Sequence, residues 1–320
     1  MTYSVIVPIF NEEERLINLL ENFTSEFNEN DEIILVNDFS TDGSASIILE
    51  WISNWSEKID IRYIENESNM GVSYSRNVGI RAAKKDYILF LDADDTIVSD
   101  FKSKIERYVS LYGEIDLVRF NHNLSDMRGF EAKVFNAFES IPDEFIKSYY
   151  LHSSCTQIAR RSLFEDVLYD ESLVFGEDML LVYQLIKKAT SILVLPDVLY
   201  IYNFSTSSAT NSMTPEQILK RIQSTVKFYD SILCEPSKFS QIYQNKKLRE
   251  MGQQLMKLRI VDKFSYSKAL NSYMSDFTGK WHNNGEKMDI FERFASSLSQ
   301  NRMYVASMYA LIYKIIKAAR

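Results

Sequence analysis

Asp92, Asp94 and Asp95 place three carboxylates in four consecutive positions, directly after the apolar run 87–91. Like charges this close repel one another unless a cation or a solvated edge absorbs the charge. Hard carboxylate oxygens at a strand end can hold Mg2+ or Mn2+ through one or two contacts, with water and substrate phosphates completing the shell. The plainer alternative is that Asp95 N-caps a helix starting near Ile97 while the other two are solvated. No EF-hand ligand loop follows.

Three further groups carry chemistry. Asp38, in Asn37-Asp38-Phe39-Ser40-Thr41-Asp42-Gly43, can accept a hydrogen bond from a base N–H or a ribose hydroxyl. Alternatively it sits in a turn whose Ser40 or Thr41 caps the next helix. Arg76, within a helical stretch, can face a diphosphate or hold an Asp in place, and a surface salt bridge is its ordinary use. Gly176-Glu177-Asp178 precedes an apolar helix. Acids there favour the helix dipole, and one of them can act as a general base on an incoming hydroxyl. His122, His152 and His282 show no metal spacing, and no Ser/His/Asp order or Cys/His pair suggests nucleophilic catalysis. Neither a dinucleotide G-x-G-x-x-G fingerprint nor a P-loop is present.

These residues follow short apolar runs. Residues 3–7, 32–36, 59–64 and 87–91 read as strands, separated by helical patterns over about 12–27, 43–55 and 72–84. Near-continuous apolar strands alternating with helices predict right-handed βαβ units and a mainly parallel sheet with helices on both faces. Ligands bind such sheets at the carboxyl ends of the strands. The loops Pro8-Ile9-Phe10-Asn11-Glu12, 37–43, Asn69-Met70-Gly71 and 92–95 should therefore open on one edge. Beyond them, 116–121 reads as a strand and 177–188 as an amphipathic helix. Residues 192–195 and 198–203 read as two strands joined by a Pro196-Asp197 turn. At Thr214-Pro215-Glu216 a capped helix begins, and the rest is helical, which places a boundary near 212.

The chain has 320 residues and a net charge of −8. That length buries roughly 75% of its unfolded surface, in one large or two medium domains. The charge is an average: residues 1–212 carry −17 and residues 213–320 carry +9. The acidic balance argues against nucleic acid as a partner. Two distant cysteines, Cys155 and Cys234, fit a reducing compartment. With no signal-peptide pattern and no long apolar run, the expected location is the cytoplasm, or the inner face of a membrane as a peripheral protein.

The ordered set Val5-Ile6-Val7-Pro8-Ile9-Phe10-Asn11-Glu12, Val36-Asn37-Asp38-Phe39-Ser40, Asn69-Met70-Gly71 with Ser75-Arg76-Asn77, Leu91-Asp92-Ala93-Asp94-Asp95 and Gly176-Glu177-Asp178 resembles the family-2 inverting glycosyltransferases of the bacterial polysaccharide type. The resemblance covers about residues 1–205. It implies a GT-A fold, an α/β architecture, over 1–212, followed by a helical region over 213–320.

By the same resemblance Pro8 and Phe10 line the nucleotide base, Asp38 contacts uracil, and Asp92 lies near the ribose. Asn11, Glu12, Gly71 and Arg76 complete the nucleotide contacts. Asp94 is the metal ligand, for Mn2+ or Mg2+, and Asp95 lies by the donor sugar. Asp178 is the catalytic base, with Glu177 beside it. The family often has Asp-Asp-Gly-Ser where this chain has Asn37-Asp38-Phe39-Ser40. Many members also place a basic residue after the second hairpin, where Tyr200-Ile201-Tyr202-Asn203 and the following residues offer none. A third contact to metal or diphosphate then falls to water, to a hydroxyl such as Ser207, or to the C-terminal region.

The implied reaction is metal-dependent, inverting transfer of a hexosyl or N-acetylhexosaminyl group. The donor is a nucleotide-diphosphate sugar, a UDP-sugar in first place. The acceptor is a hydroxyl of a glycan or lipid-linked molecule in cell-surface polysaccharide synthesis. The alternative is a non-catalytic sugar-nucleotide or glycan-binding module on the same fold. The apolar, Tyr-rich segment 302–320 ends in Lys314, Lys317 and Arg320. It reads as a core or dimer helix, which would make a homo-oligomer, or as an interfacial helix on an anionic leaflet.

Overall fold

The computed structural model describes residues 1–124, 131–147, 153–203, 213–278, 280–281, 288–300, 306 and 310. It divides into two compact units: Met1–Glu171 with Glu177–Ser205, and Ser172–Gly176 with Thr206–Arg320. The boundary expected near 212 lies outside the described residues, as does Ser207. So do His152, His282 and, apart from two positions, the segment 302–320.

The first unit runs β1 (Tyr3–Ile9), α1 (Leu16–Glu26), β2 (Glu32–Asn37), α2 (Ser44–Trp55), β3 (Asp60–Glu65), α3 (Val72–Ala82) and β4 (Tyr87–Phe90). It continues with β5 (Thr96–Ile97), α4 (Phe101–Tyr112), β6 (Leu117–His122), β7 (Lys133–Phe135), α5 (Asp143–Lys147), β8 (Gln157–Arg160), α6 (Glu177–Lys188) and β9 (Ile192–Ile201). The strands form one sheet in the order β3-β2-β1-β4-β8-β6-β9-β5, with β7 on β9. The expected parallel half is present: β1 pairs in parallel with β2 and β4, and β2 with β3. The other half is mixed, because β8 runs antiparallel to both β4 and β6 while β6 and β9 are parallel.

The sequence explains the parallel half. Strands β1 and β2 are apolar and buried along nearly their whole length, as strands covered on both faces must be. Helix α1 buries Leu16, Leu19, Leu20 and Phe23, the i, i+3, i+4, i+7 stripe of a helix facing a core. Helix α3 lies close on β1 through Gly79, where an added Cβ would stand 2.3 Å from Ile6 Cγ2. The backbone that must carry Arg76 is thus fixed against the central strand.

Three local expectations are corrected. The residues 192–201 form one strand rather than two with a turn at Pro196. The pairing of β9 with β6 shifts register between Arg119 and Asn121, and such an irregularity tolerates a proline. Asn121 Nδ2 also donates to the Pro196 carbonyl at 2.8 Å. Next, Ile97 belongs to the short strand β5 and the following helix starts at Phe101, so Asp95 caps no helix. Finally, neither Ser40 nor Thr41 caps α2, whose N-cap is Gly43. Asp42 Oδ1 instead accepts from Ser44 N at 3.0 Å.

The second unit contains α7 (Pro215–Leu233), α8 (Ser240–Val261), α9 (Lys263–Phe277) and α10 (Ile290–Ser299). Thr214 and Gln217 form the capping box that starts α7, with Pro215 in its first turn, as the sequence predicts. Ile218, Ile222, Leu248, Met251, Phe294 and Leu298 lie in its core. Among the described residues no helix is long and apolar enough to cross a membrane, and Cys155 and Cys234 are both free.

Candidate active site

Strands β1 to β4 are parallel, so their carboxyl-end loops lie on one edge. Backbone bonds extend the ladders into these loops: Asp38 N donates to Ile9 O at 2.7 Å and Asn66 N to Asn37 O at 2.9 Å. The first two loops are further tied side chain to backbone. Asn11 N donates to Ser40 Oγ at 3.0 Å, and Thr41 N donates to Asn11 Oδ1 at 2.8 Å. Asn11 and Phe39 both have positive φ, at 56° and 61°. This is the left-handed region that favours glycine, which accounts for the glycine the family often has at the Phe39 position. Phe10 and Phe39 stand exposed on these adjacent loops, at 42% and 47%, and Pro8 is half-buried at the end of β1.

Asp38 is buried and organises the third loop. Its Oδ1 accepts from Asn66 Nδ2 at 2.7 Å and Met70 N at 2.9 Å, and its Oδ2 accepts from Gly71 N at 2.8 Å. Gly71 has φ 89°, open to glycine at no steric cost. A carboxylate offers about four acceptor sites, so three protein donors leave one for a ligand.

Arg76 is the centre of the arrangement. It is 4% exposed, not the surface ion pair that a lone helical arginine suggests. Nη2 lies 2.7 Å from Asp92 Oδ1 and Nη1 lies 3.0 Å from Asp178 Oδ1. Its guanidinium stands over the Tyr169 ring, 5.2 Å from the centroid. Burial opposes the charge, yet Asp178, Tyr169 and Asp92 outweigh it and hold the pKa well above the ordinary value. Asp178 Oδ1 also accepts from Ser154 Oγ at 2.8 Å, and Ser154 accepts from Tyr169 Oη at 2.7 Å. Asn77 pins Tyr169 in turn through its backbone N–H and carbonyl, at 2.9 and 3.0 Å. Among the described residues all contacts of Asp178 go to Oδ1, which leaves Oδ2 unengaged. Glu177 is half-buried beside it in the first turn of α6.

The three acids after β4 have different environments. Asp92 is held by Arg76. Asp94 Oδ2 lies 3.2 Å from Arg15 Nη1, and Arg15 Nη2 lies 2.7 Å from Glu12 Oε2. Desolvation raises the pKa of Asp94, with Asp92 adding and Arg15 opposing. Desolvation likewise raises that of Glu12 against the pull of Arg15. Asp95, expected beside the donor sugar, is 3% exposed. Its Oδ2 accepts from Tyr200 Oη at 2.6 Å and its Oδ1 from Asn203 N at 2.9 Å. Burial pushes its carboxyl up to about 7, against those two hydrogen bonds.

The structure thus joins Asp92, Arg76 and Asp178 directly, and Glu12 and Asp94 through Arg15. Sequence reading missed Arg15, Asn66, Ser154, Tyr169, Tyr200 and Asn203. Arg15 stands three residues after Glu12, a spacing at which side chains on a turn meet. Ser154 and Tyr169 belong to no motif, and only the fold reveals them. His122 stacks edge-on with Tyr202 at 4.9 Å, and burial lowers its pKa, which fits a structural role.

A sequence model of glycosyl transferase family 2 matches residues 4–168. The chain is 28% identical over 243 residues to the glycosyltransferase EpsJ of Bacillus subtilis, covering 71% of this chain and 69% of EpsJ. It is 27% identical over 209 residues to the poly(ribitol-phosphate) beta-N-acetylglucosaminyltransferase TarS of Staphylococcus aureus, covering 63% of this chain. It spans only about a third of the length of that relative, 35%. Residues 1–349 of S. aureus TarS, solved with UDP-GlcNAc, superpose with a TM-score of 0.72 at 19% identity over 98% of this chain and 92% of that one. A mannosyltransferase of Pyrobaculum calidifontis, solved with GDP-Man and Mn2+, gives a TM-score of 0.56 at 14% identity over 97% and 86%. The strand-end motifs, the sheet and the match over half the chain agree: this chain belongs to glycosyl transferase family 2 and is a glycosyltransferase with a GT-A fold.

Proposed function

We propose that the chain carries out metal-dependent, inverting transfer of a sugar from a UDP-sugar to a hydroxyl of a cell-surface glycan or its lipid-linked precursor. The observation that carries this reading is the Asp92–Arg76–Asp178 bridge. It ties the carboxylate suited to deprotonate an acceptor to the loop suited to hold the donor. The UDP-GlcNAc bound to TarS makes that donor the first to test.

In this reading Phe10 and Pro8 pack on the base, and the free acceptor site of Asp38 takes a base N–H. Asp94 is the residue to hold Mn2+ or Mg2+, with Asp92 by the ribose. Asp94 keeps one carboxylate oxygen unengaged among the described residues, and hard oxygens suit those ions. Such an ion, when bound, offsets charge on the departing diphosphate. Asp178 Oδ2 accepts the acceptor hydroxyl proton, while Oδ1 stays fixed by Arg76 and Ser154. The hydroxyl oxygen attacks C1 from the face opposite the nucleotide, the C1–oxygen bond to the diphosphate breaks, and the anomeric centre inverts through an oxocarbenium-like transition state.

The test is UDP release from UDP-GlcNAc and other UDP-sugars, with Mn2+ or with chelator. Mn2+-dependent release that Asp178→Asn lowers by about 10²–10⁴ supports the reading. Donor binding without release, across the donor panel and with added glycans, would identify a binding module instead.

A further inference from the structure

Arg15 immediately precedes α1 and reaches two loops at once. Its guanidinium joins Glu12, on the loop after β1, to Asp94, on the loop after β4. Asp92 has its own cation in Arg76, and Asp95 is held by Tyr200 and Asn203. Among the described residues Arg15 is therefore the cation paired with Asp94. The pair is not locked into the core, since the two side chains are 32% and 35% exposed. Ion pairs of that exposure are weak and exchange readily.

Two other observations bear on the same place. Among the described residues no group of three or more His, Cys, Asp or Glu side chains is arranged to hold a metal ion. A divalent ion at Asp94 must then draw further oxygens from elsewhere, and Mg2+-type sites commonly draw them from substrate phosphates. The stretch Tyr200-Ile201-Tyr202-Asn203 brings no basic side chain to the site. A diphosphate needs a donor, and guanidinium is well matched to phosphate geometry.

We propose that Arg15 gates the metal site: it occupies Asp94 in the free enzyme and, when the donor arrives, yields Asp94 to the divalent ion and binds a diphosphate oxygen itself. The proposal rests on the reading of Asp94 as the metal-binding carboxylate. Without nucleotide the ion competes with Arg15 for one carboxylate and has few other ligands. With nucleotide the diphosphate supplies ligands to the ion and a new partner to Arg15. Ion and donor therefore bind cooperatively, and the coupling is reciprocal.

Electron paramagnetic resonance titration of Mn2+, with and without UDP, tests this on wild type, Arg15→Gln, Arg15→Lys and Asp94→Asn. Wild type is expected to bind Mn2+ weakly alone and at least ~10-fold tighter with UDP, within the usual range of coupling. Arg15→Gln is expected to bind Mn2+ alone about 10-fold tighter than wild type and to lose most of the gain from UDP. Arg15→Lys, which keeps the charge but not the two-carboxylate fork, should fall between. Arg15→Gln and Arg15→Lys titrations matching wild type in both conditions, while Asp94→Asn weakens Mn2+ binding, overturn the gate and leave the metal assignment standing. An Asp94→Asn titration matching wild type overturns the metal assignment and the gate together. Thermal melts of all four proteins check folding.

Discussion

Arg76 and Asp178, 102 residues apart in the chain, meet in an ion pair of 3.0 Å that engages Oδ1 of the carboxylate, while Oδ2 makes no contact among the described residues. The same guanidinium holds Asp92 at 2.7 Å. Removing one partner of a buried ion pair costs about 3–5 kcal/mol because the remaining charge loses its counter-ion, and the lower end applies here because the Asp92 and Asp178 side chains left behind are 30% and 25% exposed. Arg76→Ala should lower unfolding stability by about that amount, read by denaturant titration, and should lower transfer severely. Arg76→Lys should recover part of the stability but little of the activity, since a single ammonium does not span both carboxylates. An Arg76→Ala protein as stable as wild type would contradict the bridge.

In the proposed reaction Ser154 acts through Asp178. It donates to the oxygen that Arg76 holds, and Tyr169 fixes the direction of its hydroxyl. A hydrogen bond to a charged group contributes about 1.5–3 kcal/mol. If that much is lost in the transition state, Ser154→Ala should cut kcat roughly 10- to 100-fold. Donor KM should hold, because the Ser154 hydroxyl bonds to Asp178 and Tyr169 and to none of the residues proposed to bind nucleotide, apart from the arginine that shares Asp178. Steady-state kinetics on the donor that releases UDP fastest separate these parameters. A rise in KM with kcat unchanged would place Ser154 in donor binding instead.

Asp95 makes stability pH-dependent. Burial raises its carboxyl to about 7, and the ordinary value is 3.8. The folded protein therefore binds this proton more tightly than the unfolded chain. The stabilisation is full below the ordinary value and is lost as pH rises through about 7. Melting temperature in chelator should fall from pH 5 to pH 8 more steeply for wild type than for Asp95→Asn, which has no such proton to release. Identical slopes for the two proteins would show that the carboxyl is not shifted.

The first four strands and the strand-end loops are legible because β1, β2 and β4 are short, largely apolar runs, β3 carries Ile61, Tyr63 and Ile64, and each loop carries polar residues of distinct type. In the mixed half β6 and β9 are legible as apolar runs, while β5, β7 and β8 are not. Strand β8 is the four-residue Gln157–Arg160, too short and too polar to show a period. Pro196 reads as a turn and lies instead in a strand whose partner shifts register beside it. The burial of Arg76 escapes the sequence for a related reason, although its reading as a residue that holds an Asp in place is met by Asp92 and Asp178. Helix α3 buries Ser73, Ser75, Arg76 and Asn77 as well as Ile80, so its buried face is largely polar. Hydrophobic periodicity assigns such a face to solvent, although here the polar groups satisfy one another across the site. Asp38 and Asp178 were found from the motif order, but their fixed geometry depends on Asn66, Gly71, Ser154 and Tyr169. No local pattern marks the distant partners among these.

The account turns on Asp178 as the base that admits the acceptor hydroxyl. The most direct measurement is the turnover of a UDP-sugar in Mn2+ by wild type and by Asp178→Asn, with UDP affinity and melting temperature measured on the same preparations. The account predicts intact UDP binding and folding with turnover lower by about 10²–10⁴. Turnover by Asp178→Asn near the wild-type rate would contradict it.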